Sequence, residues 1–397
     1  MKRREFLRKG VALGATALLP NVGIPANAGI LSSVIEPLMP IWEAAVGGHW
    51  GIVKEWLRRD PALVNVTDKD KPYSLNKPLS LFHLVAGSNP DVDFMKYLFS
   101  LGANVDVTNL LFPVAESISL EVLQYLVSLG ADVLAENAWC NTPLHLAAYG
   151  NSLEVVQYLV LQGANVHTIN CEGESPLHKA ATHNSVEVVR YLVSQGTDLK
   201  AKYTEGWTPL HTAAWYNSSI EVLHYLISQS DDTDATYLLL CAAHSNSLEV
   251  VRYLVSLGAD VHATHEGYGN TPLCNAAGGN SLEVVQYLVS LGADINAKGY
   301  GGDTPLHKAV WNDLKIVQYM VSLGADVHTK GWHGDTLLHR AVYMRHNVDT
   351  LKYIISLGID VYAKNDKGKT ALDIVNESDV ADTDEKKRIL REAMAKQ

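Results

Sequence analysis

Five histidines, His145, His178, His211, His307 and His339, stand in one recurring context: Thr or Ser, then Pro or Leu, then Leu, then His. Imidazoles are common zinc ligands, so metal chemistry is the first reading to weigh. If each ring sits on its own helix, neighbours lie about 8–10 Å apart. Ligands of one zinc lie about 2.1 Å from it, so histidines one unit apart cannot easily share an ion. A second set, His167, His262 and His328, each follows a valine and reads as half-exposed polar residues. Cys140, Cys171, Cys241 and Cys274 show no C-x-x-C spacing, which leaves a zinc site unsupported. The sequence contains no G-x-S-x-G, P-loop, H-E-x-x-H or dinucleotide fingerprint. No catalytic residue, metal or cofactor is assigned, and the chain reads as a non-enzyme.

The elements that carry these residues are short. Within Asn141–Val166, Thr142 suits a helix N-cap and Pro143 the first helical position. Gly150-Asn151-Ser152 breaks that helix and offers a new cap. Leu153, Val155, Val156, Leu159 and Val160 then fall on one helical face, and Gly163 supplies a left-handed stop. Helices of two or three turns are unstable alone in water, so such a unit finds its core by stacking on copies of itself. Copies begin at Met39, Ser80, Asn109, Thr142, Ser175, Thr208, Tyr237, Thr271, Thr304, Thr336 and Thr370. Their spacings are 41, 29, 33, 33, 33, 29, 34, 33, 32 and 34, which predicts one elongated array rather than several domains.

That period resembles the ankyrin repeat, with T-P-L-H at 142–145, 208–211 and 304–307 and S-P-L-H at 175–178. The closing GADV or GANV at 102–105, 130–133, 163–166, 258–261 and 324–327 is equally similar. The resemblance implies an all-α repeat solenoid of about 10–11 helix–turn–helix units with short β-hairpin fingers, spanning 39–381. It also implies that the motif histidines hydrogen-bond backbone between units. The Met39 unit has Trp42 at the histidine position and looks like an N-terminal cap, preceded by a lead-in at 29–38. An eight-residue excess within Asp60–Pro78 reads as a polar loop. The Asn109 and Tyr237 units are about four residues short before their anchors, which predicts two truncated fingers. The Thr370 unit resembles a terminal repeat, and 382–397 reads as a charged helical cap. Cys241 and Cys274 lie one position out of phase in adjacent units, and Cys140 and Cys171 two positions out of phase on adjacent fingers. A bridge needs Cα atoms within about 7 Å, so neither disulfide is expected.

Function is read from the letters that vary. Tyr recurs at one phase of the second helix (Tyr97, Tyr125, Tyr158 and later counterparts) and is assigned to packing. Seven residues after the anchors stand Tyr149, Thr182, Trp215, His244, Gly278, Trp311 and Tyr343, at the end of the first helix. The resemblance places that phase on the concave side. The finger tips hold Trp139, Tyr203, Trp207, Tyr268, Tyr300 and Trp332. Exposed Trp and Tyr are the residues enriched in interface hot spots, so these rows are the candidate partner-binding surface. Lys179, Lys308 and Arg340 add positive charge four residues after their anchors.

Residues 1–28 form a separate segment. Lys2, Arg3, Arg4, Arg8 and Lys9 precede the apolar run Val11–Leu19, and Ala26-Asn27-Ala28 supplies an A-x-A cleavage site. The apolar run is too short to span a bilayer. Arg3, Arg4, Phe6 and Leu7 resemble the twin-arginine export motif, with Lys2 where Ser or Thr is usual. That implies a bacterial protein exported in folded form, periplasmic or secreted. The segment contributes +4 to the formal net charge of -11, leaving -15 for the rest. Such acidity excludes nucleic acid and anionic membrane as partners. The expected protein is a monomeric scaffold exported to the periplasm that binds one or more partner proteins. Its alternatives are a secreted effector acting on a host protein, or a haem or metal carrier using His183, His244 and the finger-base histidines.

Overall fold

The computed structural model describes residues 41–396 apart from 66, 75–76, 89–91, 117–118, 151, 184, 217–219, 231–232, 246, 266–268, 280, 312, 344–347 and 378–382. Arg3, Arg4, Phe6, Leu7, Ala26, Ala28, the 29–38 lead-in and Tyr268 lie outside the described residues. Helices pair into eleven successive units among the described residues, from Ile41–Val46 with Trp50–Arg59 to Ala371–Glu377 with Thr383–Met394. The C-terminal charged segment is therefore the second helix of the last unit. It buries Ile389, Leu390 and Ala393, and the Lys386 ammonium donates to the Val342 carbonyl at 3.3 Å. No helix among the described residues is long and apolar enough to cross a membrane.

Local sequence explains each boundary. Ser152, Ser185, Ser247 and Ser281 cap the second helices by accepting the backbone N–H three residues on. Gly163, with φ 93°, closes the Leu153–Leu161 helix in a conformation that costs glycine little. Leu144, Ala147, Ala148, Val155, Val156 and Leu159 are fully buried. The small alanines let first helices of adjacent units approach closely, so a single continuous core runs along the array.

Three of the five motif histidines, His145, His178 and His339, tie neighbouring units together, whereas the His307 Nε2 is buried without a partner and the His211 ring meets Tyr237 edge-on at 4.8 Å. The Thr142 N–H donates to His145 Nδ1 at 3.1 Å, which leaves the ring proton on Nε2. That proton goes to the Glu174 carbonyl of the next unit at 3.1 Å. His178 and His339 reach the Trp207 and Lys369 carbonyls in the same way, at 3.2 and 2.9 Å. Both ring nitrogens are thus committed to structure, and neither offers a lone pair to a metal.

The fingers are tighter than expected. Ahead of the Thr142, Ser175, Thr208, Thr271, Thr304, Thr336 and Thr370 anchors the finger is a loop closed by a backbone bond, such as Asn170 N–H to Glu174 O at 2.9 Å, with no strand ladder among the described residues. The one sheet among the described residues lies where a polar loop is expected from sequence. There Thr67–Ser74 pairs antiparallel with Lys77–Ser80, with Thr67 opposite Ser80 and Asp68 opposite Leu79. A second correction concerns the cysteines. Cys140 and Cys171 are disulfide-bonded with Cα atoms 5.2 Å apart. Helix spacing is the wrong yardstick for fingers, whose backbones touch directly: the Cys171 N–H donates to the Trp139 carbonyl at 3.2 Å. The left-handed φ of 57° at Cys140 accommodates the offset in phase. Cys241 and Cys274 are free and buried.

Burial lowers the His145, His211 and His307 pKa values to about 4. The unfolded chain, with ordinary values near 6.5, therefore binds more protons. Stability from these neutral rings is complete above pH 6.5 and is lost as pH falls toward 4. The melting temperature should be flat above that point and decline below it. His145→Gln should flatten part of the decline in the same pH series.

Candidate partner-binding face

Two predicted rows of aromatics meet at one place. Tyr203 and Trp207 flank the short 3-10 turn Thr204–Gly206, and the Tyr203 N–H closes the finger on the Trp207 carbonyl at 3.1 Å. Trp215 ends the helix Pro209–Trp215. The Tyr203 and Trp207 rings lie 6.2 Å apart and those of Trp207 and Trp215 5.1 Å, both edge-on, the geometry that ring quadrupoles favour. His244, from the helix Ala235–Ser245 of the next unit, stacks on Trp215 at 4.5 Å.

Tyr203, Trp207 and Trp215, but not His244, line a cleft of about 390 Å³. Tyr216, Tyr237, Leu240, Cys241, His265, Asn270 and Asn275 complete its lining among the described residues. Sequence reasoning missed these further lining residues. The signal was present: Tyr237, Leu240 and Cys241 stand where other units carry Thr, His and Lys or Arg. Burial pushes the Cys241 thiol up to about 12, so this residue is a small apolar surface rather than a nucleophile.

A second group occupies the later units. Tyr300 and Trp332 lie 5.7 Å apart on adjacent finger turns and are 46% and 43% exposed, enough for a partner to cover. They rest on an ionic core. Asp303 is buried and accepts from the Trp332 N–H at 2.9 Å and from Arg340 at 2.8 Å, with the Lys308 ammonium 3.2 Å away. Burial alone would raise the Asp303 carboxyl. The Trp332 N–H, Arg340 and Lys308 outweigh that and hold it below the ordinary carboxylate range. Asp335 lies 3.8 Å from Arg340 and accepts from Asn365 at 2.9 Å.

This changes the reading of the three cations. Arg340 is only 4% exposed and does not present charge to a partner; its guanidinium lies 5.5 Å from the Trp311 ring and supports it. Lys308 pairs with Asp303, and Lys179 with Glu174. The carboxylates come from the fingers just ahead of each anchor, a proximity that the repeat phase does not announce.

The remaining candidates stand singly. Trp139 is the most exposed tryptophan, at 61%, beside the disulfide. Tyr149 packs edge-on against His183 at 4.3 Å, and Tyr343 is exposed at the end of its helix. The tyrosine row of the second helices packs as expected: Arg190 and Arg252 cover the Tyr225 and Tyr287 rings of the following units at 4.5 and 5.0 Å.

Stacked helix pairs repeat through the described chain, with histidine bonds between units at three junctions and closed fingers at seven. Residues 114–203, 144–237, 197–265, 238–331 and 302–365 each match the family model for ankyrin repeats. The chain belongs to the ankyrin-repeat family. No curated protein matches it. Ankyrin repeats are protein–protein interaction scaffolds and generally carry no catalysis, which directs attention to the aromatic face rather than to any single titratable group.

Removing the Asp303 carboxylate strands a buried guanidinium. Asp303→Ala should cost about 3–5 kcal/mol, read as a lowered urea midpoint. Adding Arg340→Leu should recover part of the loss.

Proposed function

We propose that this ankyrin-repeat protein is a non-enzymatic scaffold, exported from the bacterial cytoplasm by residues 1–28, that holds a partner protein on its aromatic finger face. The carrying observation is the convergence of Trp207 on a finger with Trp215 at a first-helix end, their rings 5.1 Å apart. The Tyr300–Trp332 pair and Trp311 extend the same chemistry toward the C-terminus. Large, rigid, half-exposed rings give contact area at little cost in conformational entropy, and interface energy concentrates on them. The finger disulfide supports export, because an accessible disulfide persists in oxidising compartments and is rare in the cytosol.

The test of binding is affinity capture from a periplasmic extract with the mature protein, each captured protein then being purified and titrated directly. Trp215→Ala with Trp311→Ala should abolish binding while the array still unfolds cooperatively; undiminished binding would move the interface elsewhere. For export, residues 1–28 fused to a folded reporter should carry it out of the cytoplasm. Retention of that reporter inside the cell would refute the assignment.

A further inference from the structure

At two later junctions the end of one first helix meets a fixed position in the next unit: residue seven, counted from its anchor, faces residue four of its successor. A β-carbon on Gly278 would lie 3.7 Å from the Lys308 side chain, and the Arg340 guanidinium lies 5.5 Å from the Trp311 ring. Trp215 holds the same position as Trp311, and the residue that matches Arg340 in phase is Cys241. Both line the central cleft.

The later units thus fill this position with a cation of their own, and the Tyr237 unit fills it with a thiol. Arg340 is satisfied by Asp303 at 2.8 Å, with Asp335 3.8 Å away, each carboxylate standing one residue before an anchor. The matching residues at the cleft are Trp207 and Thr236. Thr236 lies inside the helix Ala235–Ser245, and its hydroxyl accepts from the Asp260 N–H at 3.1 Å. Burial pushes the Cys241 thiol up to about 12, so it is un-ionised at neutral pH. Among the described residues no Lys or Arg lies over the Trp207 or Trp215 ring.

We propose that the central cleft binds a small organic cation bearing a trimethylammonium group, seated against Trp207 and Trp215 as Arg340 is seated against Trp311. This ligand is a free solute and not the partner protein, so the site stands apart from the scaffold reading. Five aromatic residues, Tyr203, Trp207, Trp215, Tyr216 and Tyr237, line the cleft, whose volume of about 390 Å³ is that of a small-molecule site. The Trp207 and Trp215 planes meet at 65° and those of Tyr203 and Trp207 at 62°, so the rings form a corner rather than a flat stack. Aromatic faces attract cations, and cages of such rings recognise quaternary ammonium. The stretch 201–275 carries eight acidic and two basic residues, a net of -6, which favours a cation over an anion. Methylation follows from the acceptors. The Asn270 side-chain oxygen accepts from the Tyr300 N–H at 3.1 Å, and that of Asn275 from the Asn270 amide at 3.3 Å. A guanidinium or primary ammonium brings N–H donors, which Asp303 and Asp335 meet in the later units and an indole in the place of Asp303 cannot. A trimethylammonium has no N–H to satisfy and loses less on leaving water.

Choline chloride, titrated calorimetrically into the full chain at fixed ionic strength, should bind saturably at one site. Its tert-butyl isostere, in which carbon replaces the charged nitrogen, should bind at least about tenfold more weakly, and so should methylguanidinium chloride. Cys241→Arg, which places a guanidinium where Arg340 stands in the later units, should abolish choline binding. Trp207→Leu should weaken it at least about tenfold and covers the case in which a buried arginine prevents folding. No saturable binding of choline overturns the site. So does equal binding of the uncharged isostere or of methylguanidinium, or choline binding that is unchanged in Trp207→Leu. Attachment to phosphatidylcholine vesicles without binding of free choline also overturns it, because the headgroup would then be read at a membrane surface and not in the cleft.

Discussion

Helices of five to twelve residues cannot persist alone, and everything in this protein follows from how they are stacked. The apolar part of the answer is the Leu-x-x-Ala-Ala surface of the first helix, buried on both sides by neighbours. The polar part is the histidine, which satisfies its own helix start with Nδ1 and reaches the next unit with Nε2. At His145, His178 and His339 that second bond is made, so those three junctions carry a directional tie in addition to packing, whereas the His307 Nε2 is buried without a partner. Across the middle the tie is absent: Leu240 and Cys274 occupy the histidine position, and the His211 ring meets an aromatic face. The centre of the array is tied instead by other bonds, such as Ser245 to the Ala214 carbonyl at 3.2 Å and Asn275 to the Leu240 carbonyl at 2.8 Å, and there the cleft opens.

The same logic separates the two aromatic groups. Around Trp215 the rings support one another and enclose space between two fingers. Around Trp332 they lie over a buried set of charges in which Asp303 meets a backbone N–H, a guanidinium and an ammonium at once. Buried charges tolerate little displacement, because loss of one partner leaves another unpaired in a poor solvent for ions. The later units therefore present their tryptophans from a stiff base, whereas the central cleft owes its form to a deletion in the chain.

Much of this was legible in the sequence. The 33-residue period, the caps at Thr142 and Ser152 and the stop at Gly163 depend on residues within a turn or two of one another, so local stereochemistry defines the units without further information. The structural role of the motif histidines followed from their spacing and family pattern. Deletions before Asn109 and Tyr237 were visible as spacings of 29.

Other properties were decided only by tertiary structure, because they arise where one unit meets the next. Repeat phase tells which residues are equivalent, not which atoms touch across fingers. The Cys140–Cys171 bond, the burial of Arg340 beside Asp303 and the pairing of Lys179 with Glu174 all depend on finger backbones a few ångströms apart. The cleft is the clearest case. Sequence alone showed that about four residues were missing before Tyr237; only the stacking of Trp207 and Trp215, near His265 and Asn270, determined that a cleft lies beside that unit.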